Sequence, residues 1–190
     1  GIPAEPLYRS SYDSYRLAVA DAKVGDGEFN AIVPGAVMKD AMSVMSGETV
    51  RVGASGNQVT FDSGTTTYVS RKVEGNFPNF RQLMPQSFAA VARFDASEML
   101  GVLRRVTSLG SKINVKLTVH GLMMDVFAKV QDKGEFSDAV VMQFDGPESR
   151  ITLNADYLLD CISVCDGEVE LRMNSPVDPV VLANHGDVSL

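Results

Sequence analysis

Few residues in this chain have the types and spacing that chemistry needs. Phe61-Asp62-Ser63-Gly64-Thr65-Thr66 contains an Asp-Ser-Gly run of the kind that presents a carboxylate for acid–base hydrolysis of peptides. That reaction needs two carboxylates sharing a proton, so one copy serves only in a two-lobed chain or a homodimer. No second copy occurs, and Asp, Ser and Gly are also the residues a tight turn selects. His120 and His185 sit at separate turns, and no His/Cys/Asp group has metal-ligand spacing. Gly25-Asp26-Gly27 places an acid where a phosphate would sit, and no Lys-Ser/Thr follows. Cys161 and Cys165 lie four apart in a helical pattern, which puts them on one face and reads as a pair of reduced core cysteines. These motifs assemble no active site and call for no metal or cofactor.

The elements that carry them belong to an ordinary globular chain. Of 190 residues 45% are apolar, enough for a substantial core, and 17 Lys+Arg against 24 Asp+Glu leave a formal charge of −7. A broadly basic nucleic-acid binder is excluded, because displacing phosphate counterions requires excess cations. No run approaches the ~18 apolar residues of a membrane span, and no secretory signal opens the sequence. The composition reads as soluble, acidic and intracellular.

One pattern recurs three times, with turn glycines Gly47, Gly110 and Gly167 at intervals of about sixty residues. Short strands at Ala31–Pro34, Ala92–Asp95 and Arg150–Leu153 precede helical stretches at Ala36–Met45, Ser97–Leu109 and Ala155–Cys165. Period-two strands follow each turn: Val50 and Val52; Val115, Leu117 and Val119; and Val169, Leu171 and Met173, the last alternating with outward Glu168, Glu170 and Arg172. Further strands are expected at Val59–Phe61, Tyr68–Val73, Met124–Phe127, Ala139–Phe144 and Val180–Leu182. The module is β-α-β-β-β, an α+β class with one helix on one face of an antiparallel sheet. Tyr15–Val24 reads as the last strand of an earlier copy, and Val188–Leu190 stands where the third copy's last strand belongs. Both ends fall inside a repeat, so the chain is read as a fragment of a longer protein.

In the second helix Met99, Leu103 and Val106, flanked by Leu100 and Val102, form an apolar stripe, with Gly101, Arg104, Arg105 and Ser108 opposite. Arginines so placed are either solvated charge or phosphate contacts. The third helix presents Asp156, Asp160 and Ser163, and the first presents Lys39 beside Asp40.

The linker Arg71-Lys72-Val73-Glu74-Gly75-Asn76-Phe77-Pro78-Asn79-Phe80-Arg81-Gln82-Leu83-Met84-Pro85 carries two phenylalanines and a Leu-Met pair. Its hydrophobes either pack beneath the sheets or wall a rigid groove that accepts short peptides. This linker resembles the interdomain signature of the bacterial sliding clamp family, the β subunit of DNA polymerase III. Asp13-Ser14-Tyr15-Arg16-Leu17-Ala18 resembles the family's Asp-Gly-His-Arg-Leu-Ala segment. Leu153-Asn154-Ala155-Asp156-Tyr157-Leu158-Leu159-Asp160 resembles its Phe-Asn-x-x-Tyr-Leu-x-Asp helix start. The three occur in family order and at family spacing.

The resemblance implies a clamp fold with residues 1–85 as the second half of a middle domain and 86–190 as a third domain lacking its last strand. It implies a non-catalytic processivity factor that encircles duplex DNA as a head-to-tail homodimeric ring, in the cytoplasm at the nucleoid. The polymerase III catalytic subunit, the clamp loader and other polymerases or repair proteins would dock short peptides in a groove between the middle and third domains. Positions matching that groove are Tyr12, Ser14, Tyr15, Arg16 and Leu17, then Pro78, Gln82 and Leu83, then Asn154, Tyr157, Val177 and Pro179. Leu17, Leu83 and Val177 would be apolar walls, Arg16 and Asn154 polar contacts, and Pro78 a stiffener.

Departures from the family pattern are Ser14-Tyr15 for Gly-His and Gln82 for Arg. The family's C-terminal hydrophobic-Met-Pro-x-Arg strand and its first domain are absent, so this chain is not expected to close a ring. Family helices line the hole, which makes Lys39, Arg104, Arg105 and Lys112 the candidate phosphate contacts. Residues 91–190 carry 9 cations against 15 anions, so excess acid is expected on the outer sheets.

Two other classes compete: an aspartic-peptidase-like half using Asp62, and a peptide-binding module with no DNA role. The first requires pepstatin-sensitive proteolysis at acid pH. We expect none, and such cleavage would overturn the non-catalytic reading.

Overall fold

The computed structural model describes residues 7–13, 15–22, 30–77 and 79–184. The chain forms two compact units, 1–80 and 81–190. Unit 1 opens with an antiparallel hairpin of β1 (Leu7–Tyr12) and β2 (Leu17–Ala22). Helix α1 (Gly35–Val44) follows, then a three-stranded antiparallel sheet of β3 (Arg51–Ser55), β4 (Gln58–Asp62) and β5 (Thr67–Arg71). Its small core is Ala41, Val59 and Phe61, with Val37, Met38, Val52 and Tyr68 packed around them.

After a 3-10 turn at Phe80–Gln82, unit 2 contains two copies of the module in sequence. The first is β6 (Ala90–Asp95), α2 (Ala96–Thr107), β7 (Asn114–His120), β8 (Met123–Val130) and β9 (Gly134–Asp145). The second is β10 (Ser149–Asn154), α3 (Ala155–Ile162), β11 (Glu168–Met173) and β12 (Val181–Asn184). They merge into one antiparallel sheet in the order β10-β7-β8-β9-β6-β11-β12. Each module's first strand pairs with the other's second: β6 with β11, Phe94 opposite Val169, and β10 with β7, Ile151 opposite Leu117. The exchange repeats at the helix starts, where Ala96 N donates to Gly167 O and Ala155 N to Ile113 O, each at 2.8 Å. These amides would otherwise be among the unpaired donors of a helix's first turn.

Helices α2 and α3 pack against each other. Met99, Leu103, Val106, Leu158 and Ile162 join Val115, Leu117, Val119, Met124, Val126, Val169, Leu171 and Met173 in a single core. The period-two and helical stripes of the sequence are therefore the buried faces. In the helix frame set by the N-caps Pro34, Asp95 and Asn154, Met42 of α1 occupies the position of Leu103 and Ile162. Those two are fully buried, whereas Met42 is 77% exposed. Among the described residues α1 is unit 1's single helix, and no helix of its own unit covers that position.

Several sequence expectations need correcting. Residues 31–34 form no strand, and only Ile32 makes a bridge, to Val73. Tyr15 and Arg16 lie in a turn, because Asp13 captures their amides and β2 begins only at Leu17. Val50 is exposed and precedes β3, and α3 ends at Ile162. Cys161 is exposed and so is not a core cysteine, whereas Cys165 is half-buried and packs against the core of unit 2, its thiol donating to the Cys161 carbonyl at 3.4 Å. Glu170 faces outward as expected yet is buried, covered by Arg93 (Nε at 2.7 Å) and Arg172 (Nε at 2.8 Å). Residues 23–29 and 185–190, including the end of the Tyr15–Val24 strand, Gly25-Asp26-Gly27, His185 and Val188–Leu190, lie outside the described residues.

Gly146 turns the chain between the two modules at φ 122°, and a Cβ there would lie 2.5 Å from the carbonyl oxygen of Ala89. Gly146→Ala combines that overlap with a strained left-handed conformation. It should destabilise unit 2 by more than ~2 kcal/mol, read as a lower urea midpoint at unchanged slope.

Candidate functional site

Unit 1 supplies the hairpin part of the expected peptide site. Tyr12 is the last residue of β1, in register with Leu17. Asp13 organises the turn between them: Oδ1 accepts the amides of Tyr15 (2.8 Å) and Arg16 (2.7 Å). Its Oδ2 accepts Arg16 Nε at 3.0 Å and Nη2 at 2.9 Å, and the Asp13 amide donates to Arg16 O at 2.9 Å. An Asp side chain binding the next backbone amides is a local turn device, here reinforced by a guanidinium. The Tyr15 amide first, and the Arg16 guanidinium next, hold the Asp13 carboxyl below the usual carboxylate range. Tyr15 is left 81% exposed, and Leu17 is half-buried. Ser14 and Pro78 lie outside the described residues.

Unit 2 carries the rest on three separate elements. Gln82 closes the 3-10 turn and is exposed, as is Leu83. Asn154 ends β10 and caps α3, its Oδ1 accepting the Tyr157 amide at 3.1 Å, while Tyr157 is half-buried in the first helical turn. The residue expected as a polar contact therefore also fixes the helix start. Val177 and Pro179 stand exposed in the loop between β11 and β12. Asn174 anchors that loop: Oδ1 accepts from Ala89 N at 2.8 Å and Nδ2 donates to Ser87 O at 2.9 Å. Both partners are more than eighty positions away in the chain, so no local signal marks this role.

The cationic candidates divide differently. Lys39 is exposed on α1 beside exposed Asp40. Arg104 and Arg105 are exposed in the last turn of α2. Arg105 Nη2 is ion-paired with Asp138 Oδ2 on β9 at 2.5 Å, and Lys112 is exposed at φ 57°, its amide donating to Asp156 Oδ2 at 2.9 Å. Lys133, not singled out from sequence, donates from Nζ to the Leu109 carbonyl just past α2. This layer also carries exposed Glu98 and Asp160, so acid is not confined to the outer sheet face. At the N-terminus of α2, Asp95 accepts from Ser97 and Glu98, and these bonds, Ser97's side chain foremost, lower its pKa.

The Asp62-Ser63-Gly64 run is a hairpin turn. Asp62 Oδ1 accepts the Gly64 amide at 2.9 Å, and Ser63 N donates to Thr66 O at 3.0 Å. His120 ends β7 and bonds Asp125 at 2.8 Å. Among the described residues no group of three His, Cys, Asp or Glu is placed to hold a metal ion, and no helix is long and apolar enough to cross a membrane. Concavities of about 690 Å³ beside Ile32, Asn57 and Phe77, and about 420 Å³ beside Arg93, Leu122 and Val141, include none of the expected site residues.

Comparison with known proteins settles the lineage. Residues 2–79 match the family model of the DNA polymerase III beta subunit, central domain, and residues 81–190 match its C-terminal domain. The chain belongs to the DNA polymerase III beta subunit family. It is 27% identical to the beta sliding clamp of Caulobacter vibrioides over 92% of this chain and 49% of that protein. It is 26% identical to the beta sliding clamp of Staphylococcus aureus over 100% of this chain and 52% of that protein. The chain spans about half the length of the curated relatives it matches. The crystal structure of the Caulobacter crescentus sliding clamp superposes with a TM-score of 0.86 at 26% identity, covering 96% of this chain and 50% of that one. The Bacillus subtilis clamp, at 24% identity over 96% of this chain and 51% of that one, shares the fold with a TM-score of 0.90. The fold is that of the sliding clamps, α+β with helices on antiparallel sheets.

In this beta-subunit chain the hairpin turn should be acid-sensitive. Asp13's folded pKa lies below its ordinary 3.8, so its contribution is complete above that value and is lost as pH falls through the lowered one. An NMR titration should show the Arg16 Nε–H and the Asp13 carboxyl changing together in that window. Asp13→Asn should abolish the transition.

Proposed function

We propose that this chain is the partner-binding and DNA-facing portion of a sliding-clamp processivity factor, a non-catalytic accessory of bacterial replication. The observation that carries the reading is that two successive domains of the family match in order, one to each compact unit. Residues 1–85 are assigned to the middle clamp domain and 86–190 to the third. In the full-length protein two subunits join head to tail around duplex DNA, held by topology rather than by tight binding. An acidic chain suits that role, since a tether must slide.

Partner peptides from the polymerase III catalytic subunit, the clamp loader and other polymerases or repair proteins bind the set named above. The exposed apolar side chains Leu83 and Val177 are available to them, and the Asp13–Arg16 and Asn154–Tyr157 bonds stiffen two of the contributing elements. Preformed geometry reduces the ordering cost of binding. Lys39, Arg104, Arg105 and Lys112 are assigned to loose phosphate contact.

Fluorescence anisotropy with a Gln-Leu-x-Leu-Phe peptide tests the peptide site. Saturable binding is expected, with Tyr157→Ala and Leu83→Ala each weakening it about tenfold, ~1.4 kcal/mol. Binding unchanged by both substitutions would remove these residues from the site. The same titration on a chain carrying the family's hydrophobic-Met-Pro-x-Arg strand after Leu190 separates a site complete in these residues from one that needs that strand.

A further inference from the structure

The end of α2 gathers four cations with different fates. Arg104 and Lys112 have no side-chain partner among the described residues, and Lys133 is bonded to a neutral carbonyl, so each keeps its charge. Arg105 alone of the four is ion-paired. Its acid, Asp138, stands on the helix-covered face of β9, in line with buried Val140 and Met142. The carboxylate is held from both sides: Oδ2 accepts from Arg105 and Oδ1 accepts the Ala139 amide at 2.9 Å. Both bonds favour the ionised form and keep Asp138 below the usual carboxylate range, so the pair is a full ion pair at neutral pH. The exposures of 57% for Arg105 and 31% for Asp138 leave the pair within reach of a ligand from solvent.

Resting on the DNA-facing reading above, we propose that Asp138 restrains Arg105, competing with duplex phosphate for its guanidinium and so setting how loosely α2 holds DNA. A neutralised arginine releases few counterions on meeting a phosphate, so it adds little to affinity or to its salt dependence. Asp138 is thus a positioning residue: it acts on DNA only through Arg105. The proposal explains why a surface meant to slide can carry two adjacent arginines without gripping, since one is bound to the sheet and one is open.

The test is anisotropy of a fluorescein-labelled linear duplex titrated with the 190-residue chain at several salt concentrations, with matched melting curves for every variant. Asp138→Asn keeps the shape and removes the charge; it should tighten binding and steepen the slope of log K against log salt by about 0.9, one additional phosphate contact. Asp138→Glu, which retains the charge, should keep the wild-type slope. In an Arg105→Gln background, Asp138→Asn should leave the slope unchanged. If the asparagine effect persists there, Asp138 acts as a general field and the inference is overturned. If Asp138→Asn does nothing while Arg104→Gln flattens the slope, the DNA-facing reading stands and the inference fails. If neither arginine substitution alters the slope, the DNA-facing reading itself is overturned, and this inference with it.

Discussion

The reciprocal pairing of β6 with β11 and of β10 with β7 is the constraint on which unit 2 depends. Each module alone would present an apolar sheet face, one amphipathic helix and an open strand edge, too little to bury its own hydrophobes. Exchanging first strands joins two small sheets into one of seven strands and brings α2 and α3 side by side over it. The amides of Ala96 and Ala155, given to Gly167 and Ile113 of the opposite module, set where each helix starts. Leu103 and Ile162 are then fully buried within the shared core, and removing such apolar side chains from water stabilises this arrangement. Unit 1 illustrates the converse: α1 has the same register of apolar residues, and Met42 at the equivalent position faces solvent.

In each unit, polar groups outside the core are organised by a few short polar side chains. Asp13 holds Arg16 and the Tyr15 amide, Asn154 caps α3 beside Tyr157, and Asn174 ties the loop bearing Val177 to residues 87–89. In each case a short side chain satisfies backbone amides or carbonyls that a loop would otherwise expose. The residues expected to meet a peptide are thus carried on segments ordered by their immediate neighbours. On the opposite face Glu170 is buried between two guanidinium groups, where removal of either partner would leave a charge poorly compensated.

The electrostatics suit the sliding role proposed for this chain. Net negative charge opposes non-specific adhesion, and the helix layer mixes free cations with acids and with one neutralised arginine. Affinity for a polyanion depends on how many cations can release counterions, not on how many arginines a helix displays. On the proposed reading, the ion pair between α2 and β9 would tune DNA contact without altering the helix surface.

What the sequence by itself determined is whatever rests on local periodicity. The alternation in β7, β8 and β11, the stripe of α2, the turn at Asp62–Gly64 and the threefold repeat were legible because neighbouring residues decide them, and three short segments sufficed to name the family. Tertiary structure decided the rest. Residues 31–34 fit a strand pattern but find only a single bridge; Cys161 has helical spacing to Cys165 but faces water; Glu170 follows the outward rhythm yet is covered by Arg93, 77 positions away. Arg105 read as an open cation until β9 brought Asp138 to it across 33 positions, and the partners of Asn174 near residue 88 lie equally far from any local pattern. Hydrogen bonds and ion pairs between distant segments leave no periodic trace, because their geometry exists only once the modules have exchanged strands.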